Sequence, residues 1–170
     1  ATMPKSVGQI PLFYNHLNTG RPLEDGKWFM KFRSNYLDID NEPLYPFGYG
    51  LSYTTFRYGK PSLSSTILSE NGKILISVDV TNTGNYDADE TVQLYIRDLA
   101  GSVSRPVKEL KGSERICLKK GETKTVTFTL TPDDLKFYNQ ELEYKYEPGE
   151  FEVMVGPNSK NVQTLKFELK

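Results

Sequence analysis

Hydrophobic and polar residues alternate with a period of two along much of the chain after residue 54. Such alternation is typical of strands that bury one face and expose the other in an antiparallel sheet. Short turn sequences, such as Asn71-Gly72 and Pro148-Gly149, separate the alternating segments. The clearest alternating segments are 74–81, 92–97, 125–130, 151–155 and 165–169.

The number and length of these segments predict an all-β fold. Further strands near 62–68, 107–118 and 142–146 bring the total to about seven or eight, which fits an antiparallel β-sandwich of the immunoglobulin or fibronectin type III kind. The single cysteine, Cys117, rules out an intrachain disulfide, and we expect it to be buried or half-buried. One short helical turn is predicted at 132–135, with Thr131 as its cap and Pro132 at its first position.

Residues 1–53, here called the N-terminal segment, show no sustained period. Turn formers are frequent and the apolar residues come in short aromatic clusters. Fifty residues without a clear element are improbable as an independent domain. We therefore predict an irregular extension that wraps against other protein, followed by the sandwich at 54–170.

The junction between these parts, residues 43–54, is here called the strap and reads PLYPFGYGLSYT. Its prolines fix backbone φ angles, its glycines allow conformations closed to other residues, and its aromatics supply large area for burial. These features predict a rigid, non-repetitive segment that packs on protein, although an aromatic platform for sugars has a similar composition. The residues assigned to this contact are Pro43, Tyr45, Pro46, Phe47, Gly48, Tyr49, Gly50 and Tyr53.

Few residues suggest a reactive or ligand-binding site. The Gly48-x-Gly50 pair lacks the third glycine and the following helix of a dinucleotide fingerprint, and the acidic run 38–42 has Pro43 where a calcium loop needs glycine. We expect no metal and no cofactor, and we expect the lone His16 to have a packing or hydrogen-bonding role. Arg33, Tyr36 and Asp38 are the best candidates for contact with a hydroxyl-rich ligand, or else for an interdomain contact.

The charge of the chain excludes some classes of partner. The net charge is −1 and the pI is near 6.0, which gives no electrostatic reason to expect nucleic acid or an anionic membrane surface. No apolar run approaches the roughly 20 residues of a membrane helix.

Several motifs in order resemble glycoside hydrolase family 3 enzymes of the β-glucosidase type. Besides the strap, they include 4–11, 80–84, 90–95, 104–112 and 148–151. The resemblance implies a C-terminal fragment, in which 1–53 ends the α/β-sandwich domain and 54–170 is a fibronectin type III-like domain. It also implies that the catalytic residues lie upstream, so no catalytic residue is assigned here, and that the parent enzyme is periplasmic or secreted.

The predicted function is that of a non-catalytic accessory domain. Its partners would be the barrel and α/β-sandwich domains of the parent chain, and it would meet oligosaccharide substrate only through that parent. The alternatives are an autonomous carbohydrate-binding module and a cell-surface interaction domain of the same fold. Without the parent, residues 1–45 should be partly disordered, folded back on the sandwich, or engaged in self-association with another copy.

Overall fold

The computed structural model describes residues 1–24 and 26–170 and contains two packed β-sheets. Two short 3-10 helices, Val7–Gln9 and Pro132–Leu135, are the helical elements of the described residues. The strands of the described residues are β1 (Phe56–Tyr58), β2 (Ser62–Leu63), β3 (Ile67–Leu68), β4 (Ile74–Asn82), β5 (Ala88–Asp98), β6 (Glu109–Leu118), β7 (Thr123–Leu130), β8 (Phe137–Tyr138), β9 (Tyr144–Lys145), β10 (Gly149–Gly156) and β11 (Gln163–Leu169).

The first sheet is built around β4. Strand β7 pairs along one edge of β4, while β1 and β2 pair with successive parts of its other edge, all antiparallel. The second sheet has the order β3-β11-β10-β5-β6, and a separate hairpin pairs β8 with β9. The all-β sandwich predicted from the alternating segments is therefore confirmed.

The core lies between the two sheets and contains the alternating residues that the sequence pattern assigns to it. Ile74, Ile76, Val78 and Val80 of β4 are all buried beside residues of β7 in the same sheet, and residues of β5, β10 and β11 in the second sheet complete the core. Burial of apolar side chains on facing sheets supplies the main driving force for this architecture. Every buried residue of this core cluster lies at or after Leu68.

The predicted strand near 62–68 is in fact two short strands that belong to different sheets. Strand β2 pairs with β4, whereas β3 pairs with β11, and this last pairing is parallel. Within the intervening turn, the Ser65 hydroxyl donates to the Ile67 carbonyl (2.8 Å) and accepts from the Ile67 N–H (3.0 Å). The exclusively antiparallel arrangement expected from the sequence is therefore wrong at this one pair.

Several local predictions can be compared with the structure. The helical turn at Pro132–Leu135 is present, and the Thr131 N–H (2.7 Å) and hydroxyl (2.8 Å) both donate to the Asp134 carboxylate. The predicted strand near 142–146 is reduced to β9, while β1 and β8 were not predicted. Cys117 is exposed, not buried, because it lies on the outer face of β6, an edge strand.

Strand β5 departs from simple alternation in a way that locates the N-terminal segment. Its five consecutive residues Val92–Ile96 are all buried, so Gln93 and Tyr95 are covered although they face away from the core. Met154 on the neighbouring β10 is buried in the same way. Both faces of the second sheet are therefore covered at its centre.

None of the helices in the described residues is long and apolar enough to cross a membrane.

Candidate functional site

The N-terminal segment is folded back on the outer face of the second sheet. The Tyr14 ring stacks on Phe47 at a centroid distance of 4.4 Å and meets Tyr95 of β5 edge-on at 5.7 Å. The Val107 N–H also donates to the His16 carbonyl (2.9 Å). Of the three alternatives predicted for this segment, the structure contains the fold-back, and the aromatic stack explains why the outer face of β5 is buried.

A hydrogen-bond clamp fixes the strap at Gly48. The side-chain amide of Gln93 donates to the carbonyls of Gly48 (3.2 Å) and Pro157 (2.7 Å), and the Tyr95 hydroxyl donates to the Gln93 amide oxygen. The Ser159 N–H donates to the Phe47 carbonyl (2.9 Å). Because Gln93 is buried, its bonding groups need these partners, and the strap is held in one position as a result.

Gly48 is required at the centre of this clamp for two reasons. Its φ angle is +78°, in the left-handed region that favours glycine, and a Cβ atom built on it would lie 2.5 Å from Nε2 of Gln93. Any side chain at this position would therefore displace the amide that holds the strap.

Charged side chains add a second set of contacts. Lys5 pairs with Asp40 (2.7 Å), and Lys160, in the turn between β10 and β11, pairs with Glu42 (2.8 Å). The hydrogen bond from Lys5 holds the pKa of Asp40 below its usual value. These exposed pairs orient the acidic run 38–42 and contribute little stability individually.

Lys108 contacts both the turn between β10 and β11 and the outer face of β5. Its ammonium group donates to the Ser159 carbonyl and lies 5.9 Å from the Tyr95 ring centroid. Burial lowers the pKa of this lysine. The side chain thus joins the loop that receives the strap to the face of β5 on which Tyr14 packs.

Arg33, Tyr36 and Asp38 do not form one cluster. The Tyr36 hydroxyl donates to the Gln9 carbonyl (3.0 Å), whereas Arg33 and Asp38 are exposed. Among the described residues, no hydrogen bond or ion pair joins these three side chains to one another. His16 is exposed and its Nδ1 lies 2.9 Å from the Leu17 carbonyl oxygen.

The strap residues divide into a packed part and an exposed part. Pro46 is buried, and Pro43 and Phe47 are half-buried. Tyr45 and Tyr49 stack at 5.0 Å and remain exposed, as does Gly50, while Leu51 and Tyr53 are 88% and 95% exposed. The strap therefore contacts the sandwich through its centre and presents large apolar side chains after Gly50.

Exposed apolar side chains are concentrated in the N-terminal segment. It carries fourteen of the twenty exposed large hydrophobic residues among the described residues, although it is less than a third of the chain. Its described part buries only Gln9 and Pro46. An open cleft of about 450 Å³, lined largely by apolar atoms, lies among Leu12, Phe13, Leu17 and Tyr36. Exposed apolar patches are found at interaction surfaces and in ligand-binding grooves.

A second cleft, of about 410 Å³, lies where the strap passes the open end of the sandwich. Glu90 of β5 and Tyr58 of β1 meet there, and the Tyr58 hydroxyl donates to the Glu90 carboxylate (2.9 Å). Burial raises the pKa of both groups. Sequence reasoning missed this pair, and the available signal was a glutamate in the core-facing series Glu90, Val92, Leu94 and Ile96.

The residues of β5 that receive the strap, Gln93 and Tyr95, were also missed. The alternating pattern places them on the solvent-facing side of the sheet, where polar residues are unremarkable. The one sequence signal was Met154, an apolar residue at a solvent-facing position between Val153 and Val155 of the neighbouring strand.

Comparison with known proteins gives a consistent result. Residues 90–159 match the model of the fibronectin type III-like domain. The chain is 51% identical to a periplasmic beta-glucosidase of Salmonella typhimurium, and the alignment covers 99% of this chain and 22% of that relative. It is 45% identical to a beta-xylosidase of Formosa agariphila, and that alignment also covers 99% of this chain and 22% of the relative. A crystal structure of a Listeria innocua beta-glucosidase in complex with glucose superposes with a TM-score of 0.92 at 43% identity, over 99% of this chain and 23% of that one. The chain thus spans about a fifth of the length of these relatives.

Proposed function

Because this chain belongs to glycoside hydrolase family 3 and corresponds to the C-terminal, fibronectin type III-like region of its β-glucosidases, we propose that it is a non-catalytic accessory domain. Its role is to dock on the catalytic domains of a parent enzyme and to stabilise them. The parent is a β-glycoside hydrolase of the β-glucosidase type, and the docking surface is the N-terminal segment. The same proposal divides the chain into a docking segment at 1–53 and the sandwich domain at 54–170.

The concentration of exposed apolar side chains in residues 1–53 carries the proposal. The sandwich has a full core of its own, whereas the N-terminal segment has almost no buried residue and presents an apolar cleft. Surfaces of this composition are typical of permanent contacts within or between chains. The clamp at Gly48 gives the surface a fixed position on the sandwich, as docking requires.

Three finer assignments rest on the same reasoning. Arg33, Tyr36 and Asp38 lie in the docking segment and are proposed to shape the substrate entrance of the parent enzyme. A periplasmic or secreted location is proposed because the Salmonella relative is named a periplasmic enzyme. The isolated chain is proposed to self-associate through its exposed apolar side chains.

The docking proposal can be tested with Leu51→Ser and Tyr53→Ser. Both side chains are almost fully exposed, so the substitutions should leave the melting temperature of the isolated chain unchanged. In the complete enzyme they should lower the melting temperature, because there the same side chains are buried against the catalytic domains. Tyr86→Ser is the matched control, since Tyr86 is also exposed but lies on the β4–β5 loop of the sandwich.

Two results would contradict the proposal. One is an unchanged melting temperature of the complete enzyme with Leu51→Ser and Tyr53→Ser. The other is hydrolysis of aryl β-glucosides by the isolated chain at a rate that responds to substitution of its acidic residues, because this would place the catalytic groups within the chain itself.

A further inference from the structure

The cleft between the strap and the open end of the sandwich has the dimensions of a ligand site. Its volume of about 410 Å³ falls within the roughly 300–1,000 Å³ of small-molecule pockets. Its walls come from three parts of the chain: the strap, the strands β1 and β5, and the turn after β10. Packing of the strap on the sandwich therefore creates it.

Glu90 occupies a position where packing alone would favour an apolar residue. It shares the core-facing side of β5 with Val92 and Leu94, yet it is a half-buried carboxylate. Burying a charge is costly unless it is paired or bonded. The Tyr58 hydroxyl supplies one hydrogen bond at 2.9 Å, and a carboxylate with about four acceptor positions retains capacity for a ligand in the cleft.

The remaining lining combines hydroxyl groups with an aromatic ring. Ser52 and Thr54 line the cleft with hydroxyl-bearing side chains, of which the Thr54 hydroxyl also donates to the Asn82 amide oxygen (2.7 Å), and Tyr49 contributes a ring that is stacked on Tyr45 and partly exposed. An apolar ring beside several hydrogen-bonding groups suits a ligand with both C–H faces and hydroxyls. Because its lining exposes more polar than apolar surface, the cleft does not suit a wholly apolar ligand.

Charged ligands fit the cleft poorly. Asp89 is already paired with Arg115 (2.6 Å), and adjacent strand residues point to opposite faces, so Asp89 and Glu90 do not converge on a cation. No group of three potential metal ligands occurs among the described residues. An anion such as a phosphate would be repelled by the Glu90 carboxylate. Among small polar ligands, a neutral polyol therefore fits the cleft best.

We propose that this cleft binds a saccharide, with Glu90 accepting hydrogen bonds from its vicinal hydroxyls and Tyr49 stacking on a sugar ring. The site is separate from the apolar cleft near Phe13, although it shares Leu51 with the proposed docking surface, and in the isolated chain it is open to solvent. It gives the chain a contact with carbohydrate of its own.

The test is a titration of the ¹⁵N-labelled chain with laminaribiose and with cellobiose into the millimolar range, followed by NMR. Amide shifts should concentrate at residues 48–54 and 89–91 and in the turn at 157–158. Glu90→Gln removes the charged acceptor and should weaken binding about tenfold. Tyr49→Ala should abolish binding without unfolding the chain, because the Tyr49 side chain is exposed. The control Glu114→Gln, at an exposed position on β6, should bind as the wild type does.

Three outcomes would overturn the proposal. These are the absence of shifts with both disaccharides, shifts that remain unchanged in Glu90→Gln and Tyr49→Ala, and shifts in the cleft that Ca²⁺ produces and the disaccharides do not. The last outcome would assign the cleft to a cation.

Discussion

Substitution of Gly48 by alanine should release the strap from the sandwich. The alanine would hold a left-handed backbone conformation, which costs about 1–2 kcal/mol. Its Cβ would also displace the Gln93 amide, which makes two hydrogen bonds to backbone carbonyls, worth about 0.5–1.5 kcal/mol each. Together these effects lower the free energy of strap opening by about 3 kcal/mol.

Native-state hydrogen exchange of the Ser159 amide measures this opening directly. That N–H donates to the Phe47 carbonyl, so it exchanges when the strap leaves the sandwich. A loss of about 3 kcal/mol corresponds to exchange about a hundredfold faster. Gly50→Ala is the control: its added Cβ would meet nothing within 4 Å, so its exchange should match that of the wild type.

A double substitution separates the two causes. In a Gln93→Ala background the amide is already absent, so Gly48→Ala should add only the backbone strain, about a tenfold effect. Wild-type exchange in Gly48→Ala would refute the reasoning. An equal effect of Gly48→Ala with and without Gln93 would show that the amide does not carry the contact.

Three further predictions concern the sandwich. Leu94→Ala should lower the free energy of unfolding by about 2–5 kcal/mol in urea titrations, because Leu94 is buried in the core. Leu75 is exposed, so Leu75→Ala should lower the free energy of unfolding much less, and an equal loss in both variants would place Leu94 outside the core. Burial raises the pKa of Glu90 above its ordinary 4.5, so the folded state binds the proton more tightly than the unfolded state does. The folded state therefore loses stability as Glu90 deprotonates, and the melting temperature should fall as pH rises from about 4.5 through the folded pKa. Glu90→Gln should lack this fall, and an identical pH profile in both proteins would contradict the assignment. The Asp89 carboxylate, opposite Cys117 on the neighbouring strand, raises the pKa of the Cys117 thiol, so Asp89→Asn should speed its alkylation by iodoacetamide at neutral pH. The rate is followed by intact mass, and an unchanged rate would count against this effect of Asp89.

The sandwich could be predicted because burial between two sheets leaves a direct mark on the sequence. Ile74, Ile76 and Val78 must be apolar, and Leu75, Ser77 and Asp79 need not be, so the period is visible without any tertiary information. The two- and three-residue strands show no such period in the sequence. A two-residue strand such as β3 is defined by its partner β11, about a hundred positions away, and no local pattern specifies that pairing or its parallel direction.

The candidate sites were less accessible to sequence reasoning because they depend on contacts between distant segments. The strap was identified from its proline, glycine and aromatic content, but the residues that receive it have ordinary polar or aromatic side chains. The Gln93 amide can hold the strap only because folding places the Gly48 carbonyl beside it. Glu90 lines a cleft only because folding brings Tyr58 and the strap around it. Arg33, Tyr36 and Asp38, chosen for their closeness in sequence, are not held together by the irregular backbone around them.

The parallel pairing of β3 with β11 also constrains how the chain folds. The second sheet has Leu68 beside Leu169 at one edge, so the sheet is incomplete until residues about a hundred positions apart have met. Closing so long a loop costs entropy before any contact offsets it, and folds rich in such pairings are slow to form. The antiparallel hairpin of β10 and β11 is local and can form early, whereas docking of β3 on its outer edge must come later. Until then the edge of β11 is open to other strands, and its alternating Lys166 and Glu168 side chains, which point away from the core, discourage association with a second chain.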